Sequence, residues 1–237
     1  MNSLGALKKI VSSAALAGLL AGLLLTGVQQ LQVSTIILKA EVYEDAATAS
    51  PQGVAHLHSV AEADHHEHDA DAWQPANGWE RTLFTALSNI SLAVGLGLLV
   101  GAVIYLHGEA SGWRSGLLWG VAGYLVFFVA PSLGLPPEVP GTQAAPLFDR
   151  QIWWLITVLA TATGLSLLIF AKNWKIKFLG AALLVIPHIL GAPQPIVIAS
   201  TAPAELARAF IYATAAANAA FWLALGGLMG FFYKKIT

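Results

Sequence analysis

Between His56 and Asp71, sixteen positions hold five of the chain's seven histidines and five carboxylates, and the candidate donors among them are His56, His58, Asp64, His65, His66, Glu67, His68, Asp69 and Asp71. Neutral imidazole and carboxylate are the donors that borderline divalent ions such as Co²⁺, Ni²⁺, Zn²⁺ and Cu²⁺ accept. The spacing is irregular, which argues against one rigid tetrahedral site. Several donors on a pliable strand collect an ion without a preformed cage. The competing reading is a solvated, charged loop that happens to contain histidine. Histidine is not a common solubilising residue, and an internal, interrupted run does not resemble an expression tag, so metal interaction is the better reading. Softness narrows the ion. With no cysteine and only Met1 and Met229 as thioethers, a Cu(I) carrier is disfavoured, and hard ions such as Mg²⁺ or Ca²⁺ have little need of imidazole. Spacing does not choose among Co²⁺, Ni²⁺ and Zn²⁺.

The remainder of the chain must hold this segment somewhere, and its composition says where. Of 237 residues, 57% are hydrophobic and 11% charged, against about 25% charged in soluble domains. The expected fold is an all-α integral membrane protein, a bundle of six transmembrane helices with one long mobile extracytoplasmic loop. A first span with a cytoplasmic N-terminus occupies 1–38, the His/Asp/Glu-rich loop occupies 39–81, and the remaining bundle fills 82–237. Its spans lie near 82–106, 115–135, 151–171, 176–190 and 208–233. The segment near 176–190 is the exception, since Pro187, Pro193 and Pro195 interrupt its run; if it fails to cross, the count is five. Residues 39–44 are able to prolong the first helix, and the rest of the loop carries too little apolar surface to offset its chain entropy.

Basic residues set the orientation. With six spans and the N-terminus inside, eight of them (Lys8, Lys9, Arg114, Lys172, Lys175, Lys177, Lys234, Lys235) face the cytoplasm and four (Lys39, Arg81, Arg150, Arg208) face out. Both termini are then cytoplasmic, and the histidine cluster is outside. The first span is expected to stay as an anchor, because no small-residue cleavage pattern follows its apolar run closely. Trp73, Trp79, Trp113, Trp153, Trp154 and Trp174 fall near span ends, as in an interfacial belt. The glycine pairs Gly18/Gly22, Gly97/Gly101, Gly116/Gly120 and Gly226/Gly230 read as ordinary helix packing.

No P-loop, His-Glu-x-x-His helix or Gly-x-Ser-x-Gly elbow occurs, so nothing supports an ATPase motor or a membrane enzyme. No charged residue sits mid-span, which weakens a carboxylate-driven proton pump. The candidate pathway residues are Glu138, His188, Asn89, Asn218 and Gln30. His188 follows Pro187, where a freed carbonyl and an imidazole could together meet a cation. Its plainer reading is an interfacial histidine, and that of Asn89 and Asn218 is interhelical glue.

Several ordered motifs carry a resemblance. They are Gln29-Gln30-Leu31, Glu41-Val42-Tyr43-Glu44, the His/Asp loop, and Trp73-Gln74-Pro75-Ala76-Asn77-Gly78-Trp79-Glu80-Arg81. Further along come Gly134-Leu135-Pro136-Pro137-Glu138-Val139-Pro140-Gly141, Arg150-Gln151-Ile152-Trp153-Trp154, the run from Pro187-His188 to Gln194-Pro195, and Asn218-Ala219-Ala220-Phe221-Trp222. In this order the chain resembles the CbtA family of cobalt transporter subunits over nearly its whole length. The resemblance implies a multi-pass subunit of cobalt uptake in a bacterial inner membrane, supplying metal for cobalamin synthesis. It also implies a small single-span, histidine-bearing partner subunit, CbtB. The expected function is therefore divalent metal uptake, cobalt foremost, with the outer loop capturing the ion. The alternative is a membrane-anchored metal-binding or sensing protein for Ni, Zn or Co that moves nothing. No prosthetic group and no nucleic acid is expected; the partners are the lipid bilayer, the ion and the small subunit.

Overall fold

The structure, a computed structural model, describes residues 3–49, 73, 75–108 and 112–236. The described residues form six long helices: α1 (Ser3–Thr48), α2 (Trp79–His107), α3 (Trp113–Gly134), α4 (Leu147–Phe170), α5 (Trp174–Leu190) and α6 (Ala204–Lys235). No strand is present among them, and only one isolated bridge, between Thr142 and Ser200, joins extended segments. Five of the helices are long and apolar enough to cross a membrane. The sixth, α5, has 17 residues, about 25 Å at 1.5 Å per residue, slightly under a hydrocarbon core of ~30 Å.

The path of α5 follows that of α4. Asn173 caps it by accepting from the Lys175 amide, and the helix then turns back along α4. Gly164 faces Gly180 near one end of this hairpin, and Trp153 reaches the Pro187 carbonyl near the other. Thus α5 runs antiparallel to α4 for most of its length, and the six described helices extend between two ends. One end gathers the start of α1, the α2–α3 connection, the α4–α5 turn and the end of α6. Lys9 lies over the Tyr233 ring there, at 4.9 Å. The other end gathers the top of α1, the start of α2, and the two connections 135–146 and 191–203. Gly108, with φ +73°, ends α2 in the left-handed conformation that glycine adopts at no steric cost.

The first helix does not stop at Leu38. A π turn over Gln29–Val33 interrupts its hydrogen bonding, and regular α-helix resumes over Ser34–Thr48, so the first part of the expected loop 39–81 is helical. A second π turn, Leu125–Val129, lies in α3 just before Pro131. A proline ring crowds the preceding turn and removes one donor, and a widened turn accommodates that.

Small residues hold the bundle together. A Cβ on Gly22 would meet Ile90 Cα at 2.6 Å, and one on Gly226 would meet Gly120 Cα at 2.6 Å. All four glycine pairs expected from their spacing lie at such contacts, α1 against α2 and α3 against α6. Between lipid-embedded helices, close backbone approach supplies the attraction that hydrophobicity cannot. The core between α1, α2, α3 and α6 is filled by Ala14, Ala21, Ala93, Phe221, Leu225 and Met229, and Phe127 stacks on Trp222 at 5.4 Å. The α4–α5 hairpin joins at the side, through Phe127–Trp154 and through Gly134 beside Trp153. Between α2, α3 and α4 it leaves an apolar cleft of about 350 Å³, walled by Leu99, Val103, Trp119, Phe127 and Ile169. Such a wall offers an ion no ligand.

Trp79, Trp113 and Trp174 are well exposed at helix starts, as interfacial tryptophans should be. Trp153 differs. It is turned inward and buried, with its indole N–H donated to Pro187.

Candidate functional site

The nine metal-ligand candidates His56, His58, Asp64, His65, His66, Glu67, His68, Asp69 and Asp71 lie outside the described residues. What is described is how the two stems of that segment are held. The first stem is the top of α1. Ala40 is buried there against Val139 and Ala202, with Ile36 and Leu206 around them. The second stem is Ala76–Arg81. Gly78, at φ +108°, lets the chain swing into α2, and the Glu80 carboxylate accepts from the Ala76 amide at 3.1 Å.

One fork joins the stems. Arg81 donates from both terminal nitrogens to Glu41, at 2.7 Å and 3.4 Å, and also donates to Asn77 Oδ1 at 2.9 Å. A planar guanidinium matches a carboxylate in this two-point geometry, which fixes orientation as well as distance. The segment of 42–80 therefore leaves and returns at one clamped point.

Beside the clamp, the two connections at this end form a pair. Gln143 donates its amide to Ala199 and Thr201 donates its amide to Gly141, at 2.9 Å and 3.1 Å, on either side of the Thr142–Ser200 bridge. Gly141 takes φ +77°. A Cβ placed on it would lie 3.4 Å from Glu44 Cβ and collide with Thr201, so the turn needs glycine both for conformation and for space. The top of α1 is thereby seated against the paired connections.

Behind them opens a groove of about 200 Å³, lined by Glu138, Thr142, Gln143, Gln194 and Ser200 together with Pro136, Pro193 and Ile198. Its carboxylate, Glu138, pairs with Arg150 at 3.3 Å, and both side chains are about one-third exposed. Because α5 is short, 191–203 begins below the level reached by the longer helices. Irregular backbone within a bilayer is tolerated where it is buried in protein or lines a cavity, and Pro193, Gln194, Pro195, Ile198, Ala199 and Ser200 line this one.

The remaining pathway candidates are spread out. His188 packs its ring edge-on to Trp153, with centroids 6.0 Å apart. The neighbouring Pro187 carbonyl accepts from Trp153 and from the Gly191 amide. Asn89 is buried and donates to Thr26 and Gln29 of α1, at 3.0 Å and 2.7 Å. Asn218 donates to the Thr214 carbonyl one turn back. Gln30 is exposed and accepts from Ser34. Among the described residues no three His, Cys, Asp or Glu side chains gather as a metal cluster. Glu138 lines the groove, whereas Asn89 ties α1 to α2 and Asn218 bonds within α6. Sequence reasoning missed Arg150 and the Glu41–Arg81 fork as site elements. Their advance signal is that each is a charge at a span boundary within one of the motifs that carry the resemblance.

Charge divides the two ends. The described carboxylates Glu41, Glu44, Asp45, Glu80, Glu138, Asp149 and Glu205 all belong to the end that carries the clamp and groove. Lys8, Lys9, Arg114, Lys172, Lys175, Lys177, Lys234 and Lys235 belong to the opposite end.

The family described as "Probable cobalt transporter subunit (CbtA)" matches residues 7–234. The chain belongs to the CbtA family. The match takes in every helix, both stems and the groove, so clamp and groove are features of a cobalt transporter's membrane subunit rather than of an appended domain. No curated protein and no solved structure matches the chain.

Proposed function

We propose that this subunit takes up Co²⁺ by capturing the ion on the segment from His56 to Asp71 and passing it to the groove of Glu138. The observation that supports this is the seating of the segment's stem. Ala40 and Glu44 rest on Val139 and Gly141, the same connection whose neighbours Glu138 and Thr142 line the groove. An ion released at the stems therefore has a carboxylate close by. Imidazole and carboxylate on a strand exchange ligands readily, which suits collection followed by release.

In the proposed orientation the basic end is cytoplasmic and the acidic end faces out, in a bacterial inner membrane with both termini inside. The acidic outer surface then draws divalent cations toward the clamp. A small single-span subunit bearing histidine would complete the system. The chain itself performs no catalysis in this reading.

Accumulation of radioactive cobalt in cells tests it. Cells carrying the chain and its partner subunit should accumulate Co²⁺ over an empty-vector control. Deleting 55–71 should reduce uptake at nanomolar Co²⁺ and spare it at saturating metal. Unchanged uptake at nanomolar Co²⁺ after the deletion would show that the segment is not a collector. Binding without accumulation would favour a membrane-anchored metal-binding or sensing protein. Parallel runs with Ni²⁺ and Zn²⁺ identify the ion.

A further inference from the structure

We propose that Glu138 is a transient cation site in the outer groove and that Arg150 is its resident competitor, a tethered cation that an arriving divalent ion must displace. This rests on the uptake reading above and gives it a specific first step. The groove is a cavity of about 200 Å³ whose polar lining comprises one carboxylate, the carboxamides of Gln143 and Gln194, and the hydroxyls of Thr142 and Ser200. All of these supply oxygen. A lone carboxylate among neutral oxygens holds a hydrated divalent ion weakly, and conduction needs binding weak enough for the ion to leave. The Arg150 guanidinium lies 3.3 Å from Glu138 Oε2. Hence the carboxylate already carries a positive partner when no metal is present.

Geometry favours exchange. The two side chains are 32% and 29% exposed, so neither charge is locked away from water and the pair is only weakly held. Arg150 stands in the first turn of α4, one turn before Trp153. Its long side chain can swing toward the outer surface without moving the helix. Glu138 sits between Pro137 and Val139, and Val139 is buried under the top of α1. The carboxylate is therefore the fixed member of the pair and the guanidinium the movable one. Between ions the returning guanidinium neutralises the carboxylate, which weakens further a site that is already weak and so favours release.

A competitor makes a prediction of opposite signs that a structural ion pair does not. Mn²⁺, an oxygen-seeking ion, is titrated against the purified full chain in nanodiscs and read by electron paramagnetic resonance. The loop's contribution is common to all variants and cancels in the comparison. Glu138→Gln should remove one weakly bound ion per chain. Arg150→Gln should tighten that ion about three- to five-fold, the range expected from loss of a half-exposed partner. The double variant should behave as Glu138→Gln alone. Identical isotherms in all four proteins overturn the proposal, and so does weaker binding in Arg150→Gln. If Glu138→Gln fails to fold, Glu138→Asp replaces it and should shift affinity without abolishing the site. Cobalt accumulation by the same variants is scored separately. The expected ordering in Mn²⁺ binding with no accumulation by any chain would sink the uptake reading and leave the site standing.

Discussion

Arg81 and Glu41 are 40 positions apart in the chain, yet the guanidinium meets the carboxylate with two nitrogens, at 2.7 Å and 3.4 Å. Both side chains are roughly one-third exposed, so the fork contributes modestly to stability, about 1 kcal/mol or less. Its larger effect is positional, because it joins the point where the histidine-rich segment departs to the point where it returns.

Arg81→Gln should therefore lower thermal stability by only a few degrees but raise the cobalt concentration needed for half-maximal uptake. Exchanging the charges, Glu41→Arg with Arg81→Glu, should restore part of the affinity. A large drop in melting temperature with unchanged uptake would show the fork to be a stability element alone.

Glycine contacts should separate sharply from glycines in open space. Gly226→Ala places a methyl 2.6 Å from Gly120 Cα and should cost about 1–3 kcal/mol through overpacking. Gly95→Ala, with nothing within 4 Å, should be neutral or slightly stabilising. Thermal unfolding in detergent compares the two directly.

Asn89 bridges Thr26 and Gln29 within the bundle. Asn89→Leu should destabilise by about 1–2 kcal/mol, because two polar partners lose their donor. Uptake per folded molecule should stay near the wild-type level if the residue is glue. A loss of uptake out of proportion to the folded fraction would return Asn89 to the pathway.

Reporters fused after Lys177 and after Thr237 should lie on the same side of the membrane. Opposite sides would mean that α5 does not cross. Calorimetry on a peptide of 55–71 should detect Co²⁺ binding that weakens from about pH 7.5 to about pH 5.5, since only neutral imidazole ligates metal. No binding at the higher pH would remove the chemical basis of capture.

Hydropathy made most of the fold legible, because lipid requires about twenty apolar residues in each helix. The short α5 was the hard case. Pro187 ends its apolar run early, and only its pairing with α4, with Gly164 beside Gly180 and Trp153 on Pro187, shows it running back along that helix. Neither of those glycines has a partner four residues away, so the spacing that flagged the other four pairs could not flag them. The histidine cluster was legible as chemistry, since donor types can be read without geometry. Glu138 was identified as a candidate, but its neighbour Arg150 was not. Twelve positions and the whole turn at Gly141 separate them, and no local pattern encodes a contact made through tertiary folding. Trp153 was read as interfacial on position alone, and its burial depends on the Gly134 turn approaching from α3.

The continuation of α1 past Lys39 has an electrostatic consequence. Ser34–Thr48 is helical, and the ten residues from Lys39 to Thr48 rise about 15 Å. The diffuse ion atmosphere above a bilayer decays over about 8 Å at physiological ionic strength. With Lys39 at headgroup level, as the proposed orientation has it, the helix would end beyond most of the counterion cloud that crowds lipid phosphates. On that proposal, a segment leaving from such a height would meet trace metal at its bulk activity, with less competition from the magnesium and sodium condensed at the headgroups.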